Sequence, residues 1–254
     1  MRNKLFKRLP IIGTIVLLLA LCTVCIIFAS SIGNQIGPGS TSDFPQHGEY
    51  KINSQTIIAS LDRGDTEVFM PELETPEVSN QSLSPIFWRQ LDYLKVANAL
   101  HEFVWHEPLT SWNIYAATFN TDCTAATRGF GAGQITYFKT VWINELPSYA
   151  ARQMTFSPEQ NWVEWGGETN LPHPIFGQKG FDLSKFKISA DDALRIAEEN
   201  GGAKFRSDYN NECNIQLYLF GNIGWKVAYF HSLASFTLDI DPYTGTFKVL
   251  NSGK

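Results

Sequence analysis

The histidines of His101-Glu-Phe-Val-Trp-His106 come nearest to a known catalytic pattern in this chain. They can be compared with the H-E-x-x-H motif of zinc peptidases, in which two histidines four positions apart share one helix face and bind zinc. Here the histidines are five positions apart, so they diverge by roughly 140° around a regular helix. His173, the remaining candidate for a third ligand, lies in a proline-containing segment. We therefore expect no zinc site and interpret both residues as helix-surface histidines.

Other catalytic patterns are weaker still. The chain has no Gly-x-Ser-x-Gly sequence, and Gly129-Phe-Gly-Ala-Gly133 lacks the Lys-Ser/Thr of a phosphate loop, so we expect a hairpin turn there. Asp239 and Asp241 share one face of a strand end but are too few for calcium. A solvated strand face and a turn-capping aspartate explain them. The sequence thus predicts no catalytic residue, no cofactor and no metal ligand.

The N-terminal segment predicts a location outside the cytoplasm. Pro10 to Ala29 carries no charge, and it is long enough to cross a bilayer as a helix. Four basic residues among the first eight place the N-terminus in the cytoplasm and the rest outside. A cleaved signal peptide is the alternative, because Ala29 and Ser31 are small residues with the spacing of a cleavage site. Residues 1–31 are therefore a membrane anchor or signal segment.

Charge and cysteine usage agree with that location. Of the 20 basic residues four lie in the first 31, which leaves 16 against 25 acidic residues, a formal charge of −9. This balance argues against nucleic acid or anionic lipid as the main partner. Cys22 and Cys25 lie inside the apolar segment. Cys123 and Cys213 lie outside it, and an oxidising compartment favours their pairing in a disulfide if they meet in space.

Residues 32–83 have the composition of an extracytoplasmic linker, rich in Gly, Ser, Pro, Thr and acids. Within it, Thr56–Leu61 and Glu67–Met70 predict a hairpin, with Asp62-Arg-Gly-Asp65 as its turn. The Arg-Gly-Asp tripeptide also occurs in integrin ligands, but its composition is that of a turn. After the linker, Ser84-Pro85 is typical of a helix start.

That helix has an apolar stripe and a defined end. The stripe recurs at three- and four-residue steps and consists of Tyr93, Val96, Ala97, Leu100 and Val104. Glu107-Pro108 ends the helix. Four strand candidates follow, at residues 112–119, 134–138, 152–156 and 162–165. Trp162 and Trp165 point to opposite faces of the last strand, so at least one can be exposed and is a candidate for partner contact. The alternative, which we favour, is that these large side chains fill the core of a small module.

The C-terminal third has the pattern of one helix followed by antiparallel strands. Ser189 caps the helix, Gly201-Gly202 follows its end, and two strands flank the turn Asp241-Pro-Tyr-Thr-Gly245. The segment resembles a PepSY domain in four places: Ala193-Leu-Arg-Ile-Ala197, Gly201-Gly202, Trp225-Lys-Val227 and Ile240-Asp-Pro-Tyr-Thr-Gly245. The resemblance implies a non-catalytic binding or inhibitory unit outside the cytoplasm.

The middle of the chain repeats this pattern. Residues 154–165 align without a gap on residues 238–249, and Tyr137-Phe138 matches Tyr229-Phe230. We therefore predict an α+β fold of two PepSY-like units, residues 84–175 and 176–254, each with a helix packed on its own antiparallel sheet. The alternative is one continuous sheet with two helices.

Together these features predict a membrane-anchored, extracytoplasmic, non-catalytic protein. The resemblance implies that it binds or inhibits a peptidase or another envelope protein. The alternative is an extracytoplasmic enzyme whose site forms between the two units.

Overall fold

A computed structural model describes residues 47–65, 68–71, 85–143, 145–171, 181, 185–220 and 224–253. All the described residues belong to one compact unit. The predicted anchor, Pro10 to Ala29, lies outside the described residues, and so do Cys22, Cys25 and His173. Among the residues that are described, no helix is both long and apolar enough to span a membrane.

Four α-helices and ten strands form the described part. The helices are α1 (Ile57–Asp62), α2 (Gln90–Trp105), α3 (Ala190–Ala197) and α4 (Ala203–Asp208). The strands are β1 (His47–Lys51), β2 (Met70–Pro71), β3 (Asn113–Asp122), β4 (Ala132–Ile143), β5 (Leu146–Ser157), β6 (Trp162–Leu171), β7 (Asn214–Phe220), β8 (Trp225–His231), β9 (Ala234–Ile240) and β10 (Phe247–Gly253). The four predicted middle strands correspond to β3, β4, β5 and β6.

All ten strands belong to one antiparallel sheet, in the order β10-β9-β8-β7-β3-β4-β5-β6-β1-β2. Each half of the folded part consists of helix followed by a meander of four strands. The first half has α2 and then β3 to β6, and the second half has α3 and α4 and then β7 to β10. The halves join where β3 pairs with β7, with Phe119 opposite Leu217. The expectation of a separate sheet for each unit is therefore wrong, and the alternative of one continuous sheet is correct. Joining β3 to β7 removes two open edges that separate sheets would expose.

The predicted repeat is visible in the third and fourth strands of each half. The β5–β6 hairpin pairs Phe156 with Val163, and the β9–β10 hairpin pairs Ile240 with Phe247. These pairs occupy equivalent positions in the ungapped alignment, so the two hairpins have the same register. The turns also match, because Asn161 and its equivalent Gly245 both have positive φ, 57° and 77°. A left-handed backbone position of this kind favours Asn or Gly.

The helix α2 buries the predicted stripe. Tyr93, Val96, Ala97, Leu100 and Val104 are all buried against the sheet. The helix begins at Gln90, however, and not after Ser84-Pro85. Trp88 exchanges two backbone hydrogen bonds with Phe130, of 3.0 and 2.9 Å. These bonds hold the chain extended immediately before the helix, so helical geometry starts only beyond them.

The hairpin predicted in the linker is absent from the described residues, because residues 57–62 form α1. Its first residue, Ile57, is buried, and the backbone N–H of Ile57 donates to the carbonyl of Asn53 at 2.8 Å. Burial of one side of this short segment outweighs the strand preference of its β-branched residues. The strand β2 pairs with β1 instead, with Pro71 opposite Tyr50.

The C-terminal helix begins as predicted and extends further than predicted. The Ser189 side chain caps it in a reciprocal arrangement with Asp192. Gly201 and Gly202 lie inside a π-helical turn, Glu198–Gly202, that connects α3 to α4. A Cβ atom on Gly202 would lie 2.3 Å from the Tyr229 hydroxyl oxygen. The glycine pair therefore allows a kinked helix to approach β8 closely.

Beneath this kink lies a partly buried ion pair. The guanidinium of Arg206 makes a bidentate contact with the Glu198 carboxylate, and the Tyr229 hydroxyl donates to the same carboxylate at 2.7 Å. Arg206 also donates to the backbone carbonyl of Cys123 at 3.1 Å. The pair thus connects the C-terminal helix to the junction between the two halves.

Candidate functional site

The sheet has two unlike faces. The helices cover one face, where Tyr93 of α2 contacts Phe119 and Phe156, and Phe205 of α4 contacts Tyr229. On the opposite face no described helix packs. We call this second surface the open face.

A row of directly paired residues crosses the open face through nine strands. In spatial order across the sheet, from β1 at one side to β10 at the other, the row consists of Glu49, Glu164, Thr155, Gln134, Thr118, Tyr218, Lys226, Asp239 and Lys248. At the usual strand spacing it is about 38 Å long. Its centre carries hydroxyl and amide groups, whereas formal charges lie toward the ends. An uncharged polar centre of this size can hydrogen-bond a partner without the cost of burying an ion.

Among the described residues, depressions on the open face include three near its centre. Their volumes are about 400, 380 and 490 Å³. Thr136 lines the first and Ala116 lines the second, and these two residues are directly paired, so the depressions adjoin. The third is lined in part by Asn120 and Gln216. Together the depressions make the centre of this surface concave, as binding sites usually are.

An aromatic cluster lies beside the second depression. Tyr115 packs edge-on against Phe138 and Phe220, with ring centroids 6.1 and 5.3 Å apart. The β-bulge between Ile114 and Ala116 places Tyr115 in this position. Burial raises the pKa of Tyr115 above its ordinary value. Phe220 remains 41% exposed, so it offers apolar area of the kind found at interface hot spots.

The two tryptophans proposed for partner contact have different environments. Trp165 is buried on the helix-covered face and stacks on Tyr50 with centroids 5.9 Å apart, so it cannot reach a partner. Trp162 is half-buried on the open face, where its indole N–H donates to the Gln160 side chain. Trp162 therefore remains a candidate contact, and Trp165 is a core residue.

His101 is buried, which corrects its interpretation as a helix-surface residue. The Nδ1 atom of its ring contacts the backbone carbonyl of Glu107. A carbonyl only accepts, so Nδ1 carries the proton and Nε2 is the unprotonated nitrogen. Nε2 is buried and has no hydrogen-bond partner. Burial lowers the pKa of His101. His106 is exposed at the left-handed end of α2, so the two histidines point into different environments.

A basic cluster surrounds the buried histidine. The Arg152 guanidinium lies 4.8 Å from the Trp105 ring centroid and 5.2 Å from that of Trp112. Burial lowers the pKa of Arg152. Lys139 forms an ion pair with Glu107. Although burial alone raises the pKa of Glu107, hydrogen bonds headed by the one from Lys139 bring it below its ordinary value. These contacts all serve packing at the end of α2, and a substrate could reach His101 only if the ring packing opened.

The remaining motif residues have structural roles. Asp241 accepts backbone hydrogen bonds from Tyr243 and Thr244, both 2.8 Å long, as a turn-capping aspartate does. Asp239 lies 3.7 Å from Lys226 in an ion pair on the open face. Gly129 to Gly133 spans the connection into β4. In the described ranges no group of three or more His, Cys, Asp or Glu residues could hold a metal ion.

Cys123 and Cys213 are joined by a disulfide bond, with their Cα atoms 5.2 Å apart. They flank the β3–β7 pair, next to the paired residues Asp122 and Asn214. The backbone N–H of Cys123 also donates to the carbonyl of Cys213 at 2.9 Å. The covalent bond therefore lies at the junction of the two halves.

Sequence reasoning did not identify the open face. A signal for it was present, because Thr118, Gln134 and Thr155 alternate with buried apolar residues in three strands. Alternation identifies a face turned away from the core. It does not show that the nine strands of the row lie side by side, since that depends on long-range pairing.

Comparisons with known proteins do not assign the chain to a family. No family model matches it, and no curated protein matches it. Among solved structures, a predicted lipoprotein from Clostridium difficile 630 aligns with a TM-score of 0.38 and 12% identity, over 69% of this chain and 99% of that chain. A similarity at this score carries no argument about fold or function. The PepSY resemblance therefore rests on the quoted sequence motifs.

Proposed function

We propose that this chain is a non-catalytic binding protein of the cell envelope. In this proposal the segment Pro10 to Ala29 holds it at the membrane, its folded part lies outside the cytoplasm, and it binds or inhibits a peptidase or another envelope protein. The observation that carries the proposal is the open face: a broad, concave polar surface whose central row residues are uncharged, with an exposed aromatic cluster at its side.

The composition of the open face favours a protein partner. Phe220 and Phe230 are 41% and 45% exposed, and the half-buried Trp162 belongs to the same face. Aromatic side chains give large contact area with little conformational entropy to lose, which is why interfaces are enriched in them. The hydroxyl and amide groups around them can pair with backbone groups of a partner.

The organisation of the chain is compatible with the PepSY resemblance. The second half contains the helix and antiparallel strands that the PepSY-like motifs predict, and the first half repeats this order. The disulfide between Cys123 and Cys213 is of the kind that persists in an oxidising compartment. These features support the proposed location together with the basic residues that precede Pro10.

The alternative, an enzyme with a site between the halves, has less support. Described polar groups that join the halves include the disulfide, the Arg206–Glu198 pair and the Arg89–Asp191 pair, and each is engaged in structural contacts. The buried His101 lies elsewhere, at the end of α2. Repeated turnover of a substrate by the purified protein would favour this alternative.

A co-purification experiment tests the proposal. Full-length protein would be isolated from its own membranes in mild detergent, and bound proteins would be identified by mass spectrometry. We expect a specific envelope protein or peptidase to accompany the wild type, and to be lost from Phe220→Asp. Leu91→Asp is the matched control, because Leu91 is 73% exposed on α2, away from the open face. Loss of the partner from both variants, or no specific partner at all, would contradict the proposal.

Protease treatment of intact cells tests the location. In untreated cells the chain should be found in the membrane fraction. Protease added outside intact cells should digest its folded part. Mature protein that starts near Ile32 and is found in the medium would replace the anchor with a cleaved signal peptide.

A further inference from the structure

The sheet ends at β10, and this strand exposes apolar side chains. Phe247, Val249 and Leu250 are 45%, 42% and 42% exposed. Among the described strands, β9 alone pairs with β10, so its outer edge has no strand beside it. An edge with free backbone groups and exposed apolar residues is a template for pairing with another chain.

The other half of the molecule shows the same edge in a covered state. By the ungapped alignment, Val163 and Trp165 of β6 are the equivalents of Phe247 and Val249. The strand β1 pairs along β6, with Tyr50 opposite Val163 and Gly48 opposite Trp165. Val163 and Trp165 are 0% and 3% exposed. Equivalent positions are therefore buried where a strand pairs with β6 and exposed where no described strand pairs with the outer edge of β10.

The backbone of β10 is oriented to accept such a strand. The N–H of Asp241 donates to the carbonyl of Thr246 at 2.8 Å. Because hydrogen-bonded and non-hydrogen-bonded pairs alternate, the next pair, Ile240–Phe247, is non-hydrogen-bonded. The N–H and C=O groups of Phe247 and Val249 consequently point away from β9. On β6 the equivalent groups point toward β1, where the N–H of Ile52 donates to Asn161 at 2.9 Å.

We propose that the outer edge of β10, residues 246–250, binds an extended segment of a partner polypeptide as an added antiparallel strand. This inference rests on the proposed function and specifies how the partner is held. The incoming strand has apolar residues beside Phe247 and Val249, where Tyr50 packs in the other half. Opposite Lys248, the edge residue of the polar row, an acidic residue is favoured. A second copy whose β10 paired around Lys248 would place two lysines opposite each other, so a different polypeptide fits better.

A peptide with the sequence of β1, the strand that pairs with β6, can serve as the probe for the edge of β10. A synthetic peptide with the sequence of residues 46–53 carries the strand that covers β6, and on β10 the same register would place its Glu49 opposite Lys248. We expect saturable binding of this labelled peptide to full-length protein in lipid nanodiscs, measured by fluorescence anisotropy. Val249→Pro removes an outward N–H and leaves the bonds to β9, so it should weaken binding about tenfold. Leu91→Asp should leave binding unchanged.

A modified peptide keeps the test independent of protein folding. N-methylation at the peptide's Tyr50 removes the N–H that would donate to the Phe247 carbonyl, and it should also weaken binding about tenfold. The inference is overturned if the wild type shows no saturable binding up to about 1 mM, or if neither modification weakens it. Self-association that Val249→Pro abolishes would identify a second copy as the occupant and overturn the assignment to a different polypeptide.

Failure of this inference can be told apart from failure of the proposed function. If a membrane partner co-purifies equally with wild type and Val249→Pro but is lost from Phe220→Asp, binding through the open face stands and the edge is not used. If no partner co-purifies with any form, the proposed function itself fails.

Discussion

Reduction of the disulfide between Cys123 and Cys213 should destabilise the fold strongly, because of where the bond lies. It flanks the pairing of β3 with β7, which joins the two halves of the sheet. Both cysteines are buried, so reduction creates no new contact with solvent while the native state persists. Its effect falls mainly on the unfolded chain, which gains freedom when the cross-link is removed.

The size of the effect follows from the loop that the bond closes. The two cysteines are separated by 90 residues in sequence. For a loop of this length the chain-entropy model gives roughly 4.6 kcal/mol of stabilisation at 25 °C. In a folded unit of this size, that corresponds to a thermal midpoint lower by about 10–15 °C after reduction.

The assay is thermal unfolding of the full-length protein, followed by circular dichroism with and without a phosphine reductant. Alkylation and mass spectrometry under denaturing, non-reducing conditions should leave both cysteines unmodified, and both should react after reduction. A variant with Cys22→Ser and Cys25→Ser serves as control and should show the same loss on reduction. Reaction of Cys123 and Cys213 without reductant, or a midpoint shift of less than about 2 °C on reduction, would contradict this prediction.

Two further predictions concern single side chains, and a third concerns metal. Glu198→Ala leaves the Arg206 guanidinium without its carboxylate at a site where the two side chains are 15% and 20% exposed, so it should cost about 3 kcal/mol in chemical denaturation. Glu199→Ala removes a neighbouring exposed ion pair and should cost far less than Glu198→Ala, because solvent screens the pair. Burial lowers the pKa of His101, so the folded state favours the neutral ring. The contribution of His101 to the free energy of unfolding should therefore be fully present above about pH 6.5 and should fall as the pH is lowered further. His101→Leu should flatten that dependence in pH-dependent unfolding, and His106→Asn should keep it. Chelators should leave the thermal midpoint unchanged, whereas a fall of several degrees would reveal a structural metal.

Local periodicity predicted the strands and the buried helix stripe because each depends on neighbours within a few residues. The strand β5 alternates buried Met154 and Phe156 with half-exposed Thr155, a pattern that can be read in the sequence. His101 was misinterpreted although the same periodicity included it. It lies four residues after Ala97, on the stripe itself, so helical periodicity places it in the core.

Long-range pairing explains the other errors. The segment from Thr56 to Leu61 has the composition of a strand, yet the burial of Ile57 against the core selects a helix. The union of two predicted units into one sheet depends on the β3–β7 contact, between residues about a hundred positions apart. Neither outcome has a local signal, so neither the shared sheet nor the open face that it creates could be predicted from the sequence.

The repeat gives an internal control for what the second half lacks. Two hairpins with one register and matched turns differ in what lies beside their last strand. Trp165 fills its position against Tyr50, and its large ring leaves no space for a side chain at Gly48, where a Cβ atom would lie 2.6 Å away. The equivalent Val249 is smaller and would leave that space open to a side chain from a partner. The second half therefore differs from the first in two ways: the edge of its last strand is exposed, and it leaves space for a larger side chain on the strand that pairs with it. Both differences are expected if another protein supplies that strand.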